Sequence, residues 1–202
     1  MNDYYFTIKE KSEGFYKNLG SKFLGFAFPV HNEIEIKGII DRLKKDYHDA
    51  RHHCFAWKLG VNNDHLRSND DGEPTNSAGK PILGQIEANN LTNILVVVIR
   101  YFGGTLLGVG GLIKAYKTAS ATTLENADIV KKYLSSVYKI SFKYKDINEV
   151  MQIIKTFEAE QYDQDFKLIC TLKAKIRKSE KEKFLKAFKK NPEIQIEIIN
   201  EE

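Results

Sequence analysis

The 202-residue chain is 42% hydrophobic and 11% aromatic, the balance of an ordinary folded protein and not of a disordered one. No apolar run approaches the roughly 20 residues of a membrane-spanning helix. MNDYYFTIKEKSEGFY, at the N-terminus, carries charge where a secretory signal needs an apolar core, so a cytoplasmic protein free of membranes is expected. The net charge of +4 is unevenly placed, since residues 1–128 hold 15 Lys+Arg and 15 Asp+Glu, and residues 129–202 hold 16 and 12.

In chain order, DYYFTIKEK alternates as an edge strand does, and SKFLGFAFPV is a stronger strand ended by Pro29. HNEIEIKGIIDRLKKDYHDA reads as a helix opened by His31 or Asn32, with Glu33 and Glu35 near its positive end and Ile36, Ile39, Ile40 and Leu43 on one face. HCFAWKL is a strand, Gly60–Lys80 a long polar loop, and PILGQIEANN a short helix. NILVVVIRYF has no polar residue from Ile94 to Ile99, which predicts a strand covered on both faces. A glycine loop and an amphipathic helix to Ala127 complete a β-β-α-β-α-β-α order.

The pattern changes near residue 130. VKKYLSSVYKISFKY predicts a strand, DINEVMQIIKTFEA a helix with Asp146 as N-cap, and EQYDQDFKLICTLKAKI two strands turning near Tyr162–Asp165. RKSEKEKFLKAFKKN predicts a helix opened by Ser179, and PEIQIEIIN a last strand. An α+β protein follows, with a first domain over 1–130 and a β-α-β-β-α-β domain of ferredoxin-like order over 131–202. Lys167 to Lys190 carries ten basic residues, among them Lys183, Lys186, Lys189 and Lys190; this stripe fits either a solvated helix face or attraction for polyanions such as RNA.

Three stretches hold residues able to do chemistry. In RYFGGTLLGVGGLIKAYK, glycines between a strand and a helix leave backbone N–H groups able to meet a phosphate. Gly103, Gly104, Gly108, Gly110 and Gly111 are the candidates there, with Arg100, Lys114 and Lys80 as added charge. The spacing matches neither a P-loop nor a dinucleotide fingerprint, and a tight turn explains the glycines equally. In SNDDGEPTNSAGKPIL, Asp70, Asp71 and Glu73 offer hard oxygen ligands for a divalent cation, though an Asp-Gly turn and a helix cap by Asn76 or Ser77 account for most of the same residues. In RHHCFAWKL, His52, His53 and Cys54 are neighbours, but adjacent strand residues face opposite ways and only His52 and Cys54 share a side. Cys54 and Cys170 form no disulfide framework.

Taken together and in order, HHCFAW, DDGEPTNSAGKPIL and VVVIRYFGGTLLGVGGLIKAY resemble the YigZ/IMPACT family. One departure stands out: the family reads Gly-Thr-Ala-Gly-Lys-Pro where this chain has Asn76-Ser77-Ala78-Gly79-Lys80-Pro81. The resemblance implies a first domain like the fourth domain of elongation factor G and a second like a ferredoxin-like domain of that factor. It also implies a connection with translation, since eukaryotic members act in translational control under amino-acid starvation. No catalytic residues come with it. Binding of RNA or the ribosome is the expectation, with no cofactor required. The alternatives are an enzyme acting on a phosphorylated or nucleotide ligand and a regulator occupying a protein partner.

Overall fold

The structure, a computed structural model, describes residues 3–61 and 65–201; residues 62–64 of the predicted long loop lie outside them. Its elements in chain order are β1 (Tyr4–Ile8), β2 (Ser12–Asn18), β3 (Ser21–Pro29), α1 (Glu33–Asp46), β4 (His52–Lys58), β5 (Leu66–Asn69), α2 (Gly79–Ala88), β6 (Ile94–Tyr101) and α3 (Gly108–Glu125). They continue with β7 (Ile129–Tyr133), β8 (Ser135–Lys143), α4 (Ile147–Thr156), β9 (Glu160–Phe166), β10 (Ile169–Arg177), α5 (Lys181–Phe188) and β11 (Gln195–Glu201). The protein is thus mixed α and β, with antiparallel four- and five-stranded sheets. Two compact units form, one over Tyr5–Lys131, the other from Lys132 onward together with Asp3 and Tyr4.

In the first unit, β6 lies at the centre of a five-stranded sheet of order β2-β3-β6-β4-β5. Ile94 to Ile99 are all fully buried, as an unbroken apolar run demands. Alternate residues serve two cores. Ile94, Val96 and Val98 join Phe23, Ala27, Cys54 and Ala56 under α2 and α3. Leu95, Val97 and Ile99 join Phe26, Phe28 and Trp57 under Ile36 and Leu43 of α1. Asn32 caps α1, its side chain accepting from the Glu35 N–H at 2.9 Å.

Two strands lie outside the sequence expectation, β2 and β5. β2 pairs along its whole length with β3 through a two-residue turn, Leu19-Gly20, with φ of 43° and 81°. Both angles are positive, which is the primed turn whose twist matches a hairpin. β5 occupies part of the predicted long loop and pairs with β4 from Phe55↔Asn69 to Lys58↔Leu66.

The second unit runs β8-α4-β9-β10-α5-β11, and its sheet has the order β11-β8-β10-β9. Its core gathers Tyr138, Ile140, Phe142, Leu172, Phe184 and Phe188 among others. The predicted strand over 130–144 is two strands divided at Leu134. There the Leu134 N–H donates to the Asp3 carbonyl and its own carbonyl accepts from the Lys178 N–H. The β9–β10 turn falls at Lys167–Leu168, later than the predicted Tyr162–Asp165. Asp146 and Ser179 sit in single 3-10 turns and supply no side-chain cap. No helix among the described residues is long and apolar enough to cross a membrane.

Candidate functional site

Asp70 to Glu73 make a tight turn, closed by the Glu73 N–H on the Asp70 carbonyl at 2.9 Å, with Asp71 and Gly72 at φ of 41° and 87°. The Asp70 carboxylate then reaches forward. Oδ1 accepts from the Ala78 and Gly79 N–H groups at 2.9 and 2.8 Å, and Oδ2 accepts from the Asn76 N–H at 2.8 Å. Asp70 therefore caps α2 from eight residues upstream, a role sequence spacing assigns to Asn76 or Ser77; the Ser77 hydroxyl instead donates to the Pro74 carbonyl. Asn76 itself sits at φ 64°, left-handed backbone that glycine occupies without strain and asparagine tolerates better than most. The departure from glycine at 76 is thereby accommodated. Asn76→Gly is expected to hold or raise stability and Asn76→Val to lower it by about 1–2 kcal/mol, as read from urea unfolding. A clear loss on Asn76→Gly would show that the amide side chain has work of its own.

Asp71 anchors in a different direction. Its Oδ2 accepts the His53 N–H at 2.7 Å and its Oδ1 accepts from Lys44 Nζ of α1 at 3.0 Å. Burial works to raise the Asp71 pKa, but the His53 N–H and Lys44 outweigh it and hold the carboxyl below the usual range. His52 Nδ1 lies 2.9 Å from the Asp71 carbonyl, and His53 Nε2 lies 3.2 Å from that of Tyr47. Desolvation lowers the His53 pKa against the pull of Asp71, so the ring is neutral at pH 7.

Glu73 turns into the core. Its Oε1 accepts from Arg100 Nη1 at 2.8 Å and from the Tyr116 hydroxyl at 2.7 Å, with side chains only 4% (Glu73) and 7% (Arg100) exposed. Arg100 Nη2 reaches the Ser21 hydroxyl at 3.4 Å, its guanidinium stacks between Phe23 and Phe102, and its Nε is buried without a partner. The Cys54 thiol donates to the Asp70 carbonyl at 2.9 Å and lies 3.4 Å from the Tyr116 oxygen. Burial pushes both the Cys54 and Tyr116 pKa values far up, so Cys54 is a thiol and no nucleophile at neutral pH. The three carboxylates read as one acidic cluster are therefore three separate anchors. Among the described residues no group of three His, Cys, Asp or Glu stands together in a way that could hold a metal ion.

The glycine loop divides in two. Gly103 is packed against the β2–β3 turn: a Cβ there would lie 2.0 Å from the Gly20 carbonyl carbon and the Ser21 nitrogen, and its N–H already donates to the Ser21 hydroxyl at 3.1 Å. Gly104 (φ 87°) and Gly108 (φ 66°) face open space, as does Gly110, while Gly111 meets the Leu107 side chain. α3 starts at Gly108 with no side-chain cap and no acidic residue in its first turn, and Gly108, Val109 and Gly110 are exposed. Lys80, Lys114 and the α5-side lysines Lys183, Lys186, Lys189 and Lys190 are exposed as well, Lys183 lying 3.4 Å from Glu180. Arg100, grouped with them by sequence, is committed inward. Tyr116 is fully buried and offers no face for stacking, whereas Phe102 is 48% exposed.

Sequence reading missed one further feature. Phe15, Gly20, Lys22, Leu24, Tyr101 and Phe102 line an open groove of about 460 Å³ on the sheet face that α1 covers elsewhere. Its signal was the alternation Glu13, Phe15, Lys17 in β2, all exposed and separated by half-buried Gly14 and Tyr16.

Comparison with known proteins fits this architecture. The Impact N-terminal domain family matches residues 19–124, a span holding all three motif stretches. IMPACT family member YvyE of Bacillus subtilis is 35% identical over 146 residues, which cover 72% of this chain and 67% of its own. IMPACT family member YigZ of Escherichia coli is 32% identical over 139 residues, 68% of each chain. Among solved structures, one described as a hypothetical protein covers all of both chains at 25% identity with a TM-score of 0.72. With over half its length matched by the family's domain and bacterial members aligned across two thirds of their own, this chain belongs to the IMPACT family.

Proposed function

We propose that the protein acts by binding RNA or the ribosome in connection with translation, and not by turning over a small molecule. One observation carries the reading: the groups a catalyst would need are spent on internal bonds, while the positive elements face solvent. Asp70, Asp71 and Glu73 each have their own donors, and Cys54 is held protonated. The first turn of α3, Lys80, Lys114 and the lysines around α5 are exposed. Helix N-termini and lysines are the groups that position a phosphate backbone. The order β8-α4-β9-β10-α5-β11 supports the ferredoxin-like assignment of the second unit, and the family resemblance supports the likeness of the first to the fourth domain of elongation factor G.

The test is fluorescence anisotropy with a labelled RNA across a salt series. The logarithm of affinity is expected to fall linearly with log salt, each phosphate contact contributing about 0.7–0.9 to the slope. Changing Lys183, Lys186, Lys189 and Lys190 together to Gln should flatten that slope and weaken binding at least about tenfold at low salt. No binding at any salt, or binding indifferent to salt, overturns the reading.

A further inference from the structure

Where RNA would sit on the first unit is a narrower question, and the answer rests on the binding reading above. On the open part of the sheet face the pairing register sets out two rows. Phe15 lies opposite Leu24, which lies opposite Ile99; one step along, Lys17 lies opposite Lys22, which lies opposite Tyr101. Each row crosses three strands about 4.8 Å apart, and the rows are separated by about 7 Å, two residues along a strand.

Lys17 and Lys22 are both exposed, and neither has an acidic partner among the described residues. Like charges set directly across a strand pair repel and destabilise the sheet. Lys11, the other lysine of this hairpin face, is paired with Glu13 and lies over the Phe26 and Phe28 rings. The Lys17–Lys22 pair is thus the uncompensated charge beside the groove, and a bound anion would relieve it. The rings complete the arrangement. Phe15 is 52% exposed and Phe102 48%, and the Arg100 guanidinium carbon lies over the Phe102 ring, 5.7 Å from its centroid. Tyr101 donates its hydroxyl to Asp49 at 2.7 Å, which pins the ring at the groove's edge. Two exposed rings lining one groove, with Lys22 in its wall and Lys17 across from it, suit planar groups strung on an anionic backbone.

We propose that this groove is a binding site for unpaired, single-stranded RNA, with bases stacking on Phe15 and Phe102 and the backbone running past Lys17 and Lys22. An acidic peptide is the competing occupant. The face favours RNA because the rings stand open as platforms, and stacking on a sheet face with flanking lysines is how unpaired nucleotides are held without sequence readout.

The experiment compares a labelled oligouridine 8-mer, an RNA duplex of equal length and an aspartate-rich peptide containing one phenylalanine, by anisotropy on the full chain. Tight binding of the single strand, at least about tenfold over the duplex, is expected. Phe15→Ala and Phe102→Ala should each weaken it about 5- to 100-fold. Lys17→Gln with Lys22→Gln should lower the log–log salt slope by about 1.4, the single-strand value for two phosphates. All these side chains are exposed, and a melting curve for each variant separates lost binding from lost fold. If RNA binds and the four-lysine change near α5 weakens it while the groove variants bind as the parent does, the groove proposal fails and the binding reading stands. If no RNA binds, the binding reading itself fails. Tight binding of the peptide with none of the oligouridine overturns the groove's assignment to RNA.

Discussion

Glu73→Ala is expected to cost about 3–5 kcal/mol of stability, because it strands a buried guanidinium. Arg100 sits at the end of the central strand with its side chain 7% exposed, and Glu73 Oε1 at 2.8 Å is its charged partner. Once that carboxylate is gone, the remaining hydrogen bond is the 3.4 Å contact to the Ser21 hydroxyl, and Nε has no partner even in the intact protein. The Tyr116 hydroxyl loses its acceptor in the same stroke, deep under α3. A domain of this size has only about 5–15 kcal/mol in hand, so the variant stands near the edge of folding. The charge, and not the space, decides the outcome. Glu73→Leu combined with Arg100→Met should recover most of the loss, since a buried ion pair replaced as a unit by apolar groups is often neutral or better. Urea unfolding of the single and double variants measures both effects. A single variant losing less than about 1 kcal/mol would mean that water reaches the pair.

How much of this was legible in the residues depends on which distances set each feature. The central strand was plain, because six consecutive apolar residues admit little besides a strand buried on both faces, and Asn32 capped its helix as local chemistry required. β2 was missed because Gly14 and Ser12 dilute its alternation; its place is set by β3 across a primed turn, with Leu19 standing where asparagine or glycine is usual. β5 was missed because Leu66–Asn69 has no apolar alternation at all, and its place is set by its register with β4 and by the close approach of α2 at Gly79. The site divides the same way. The motif residues His52–Cys54, Asp70–Glu73 and Arg100 do come together, but their partners are decided by folding. Spacing makes Asp70, Asp71 and Glu73 neighbours, whereas positive φ at Asp71 and Gly72 sends the three carboxylates to α2, to α1 and to the core. No one-dimensional pattern distinguishes an acidic cluster from three divergent anchors.

The second large effect follows from that divergence. Asp70→Ala is expected to lower stability by about 3 kcal/mol or more, since a charged acceptor contributes about 1.5–3 kcal/mol per hydrogen bond and three backbone donors depend on this one. The Ala78 and Gly79 N–H groups are buried at the start of α2, where no other side chain caps them. Gly79 is also pressed against β5, a Cβ there lying 2.7 Å from the Asn69 nitrogen, so the helix end has no room to tilt toward water. Asp70→Asn separates capping from charge. Its amide oxygen still accepts from Ala78 and Gly79, while the NH2 group faces the Asn76 N–H and cannot accept. The expected loss is therefore intermediate, one bond and the favourable interaction with the helix dipole, roughly half that of alanine. Equal losses for the two variants would show that charge alone holds the turn. A loss for alanine below about 1 kcal/mol would mean that the α2 amides find water on their own, and that the aspartate is kept for a ligand and not for the fold.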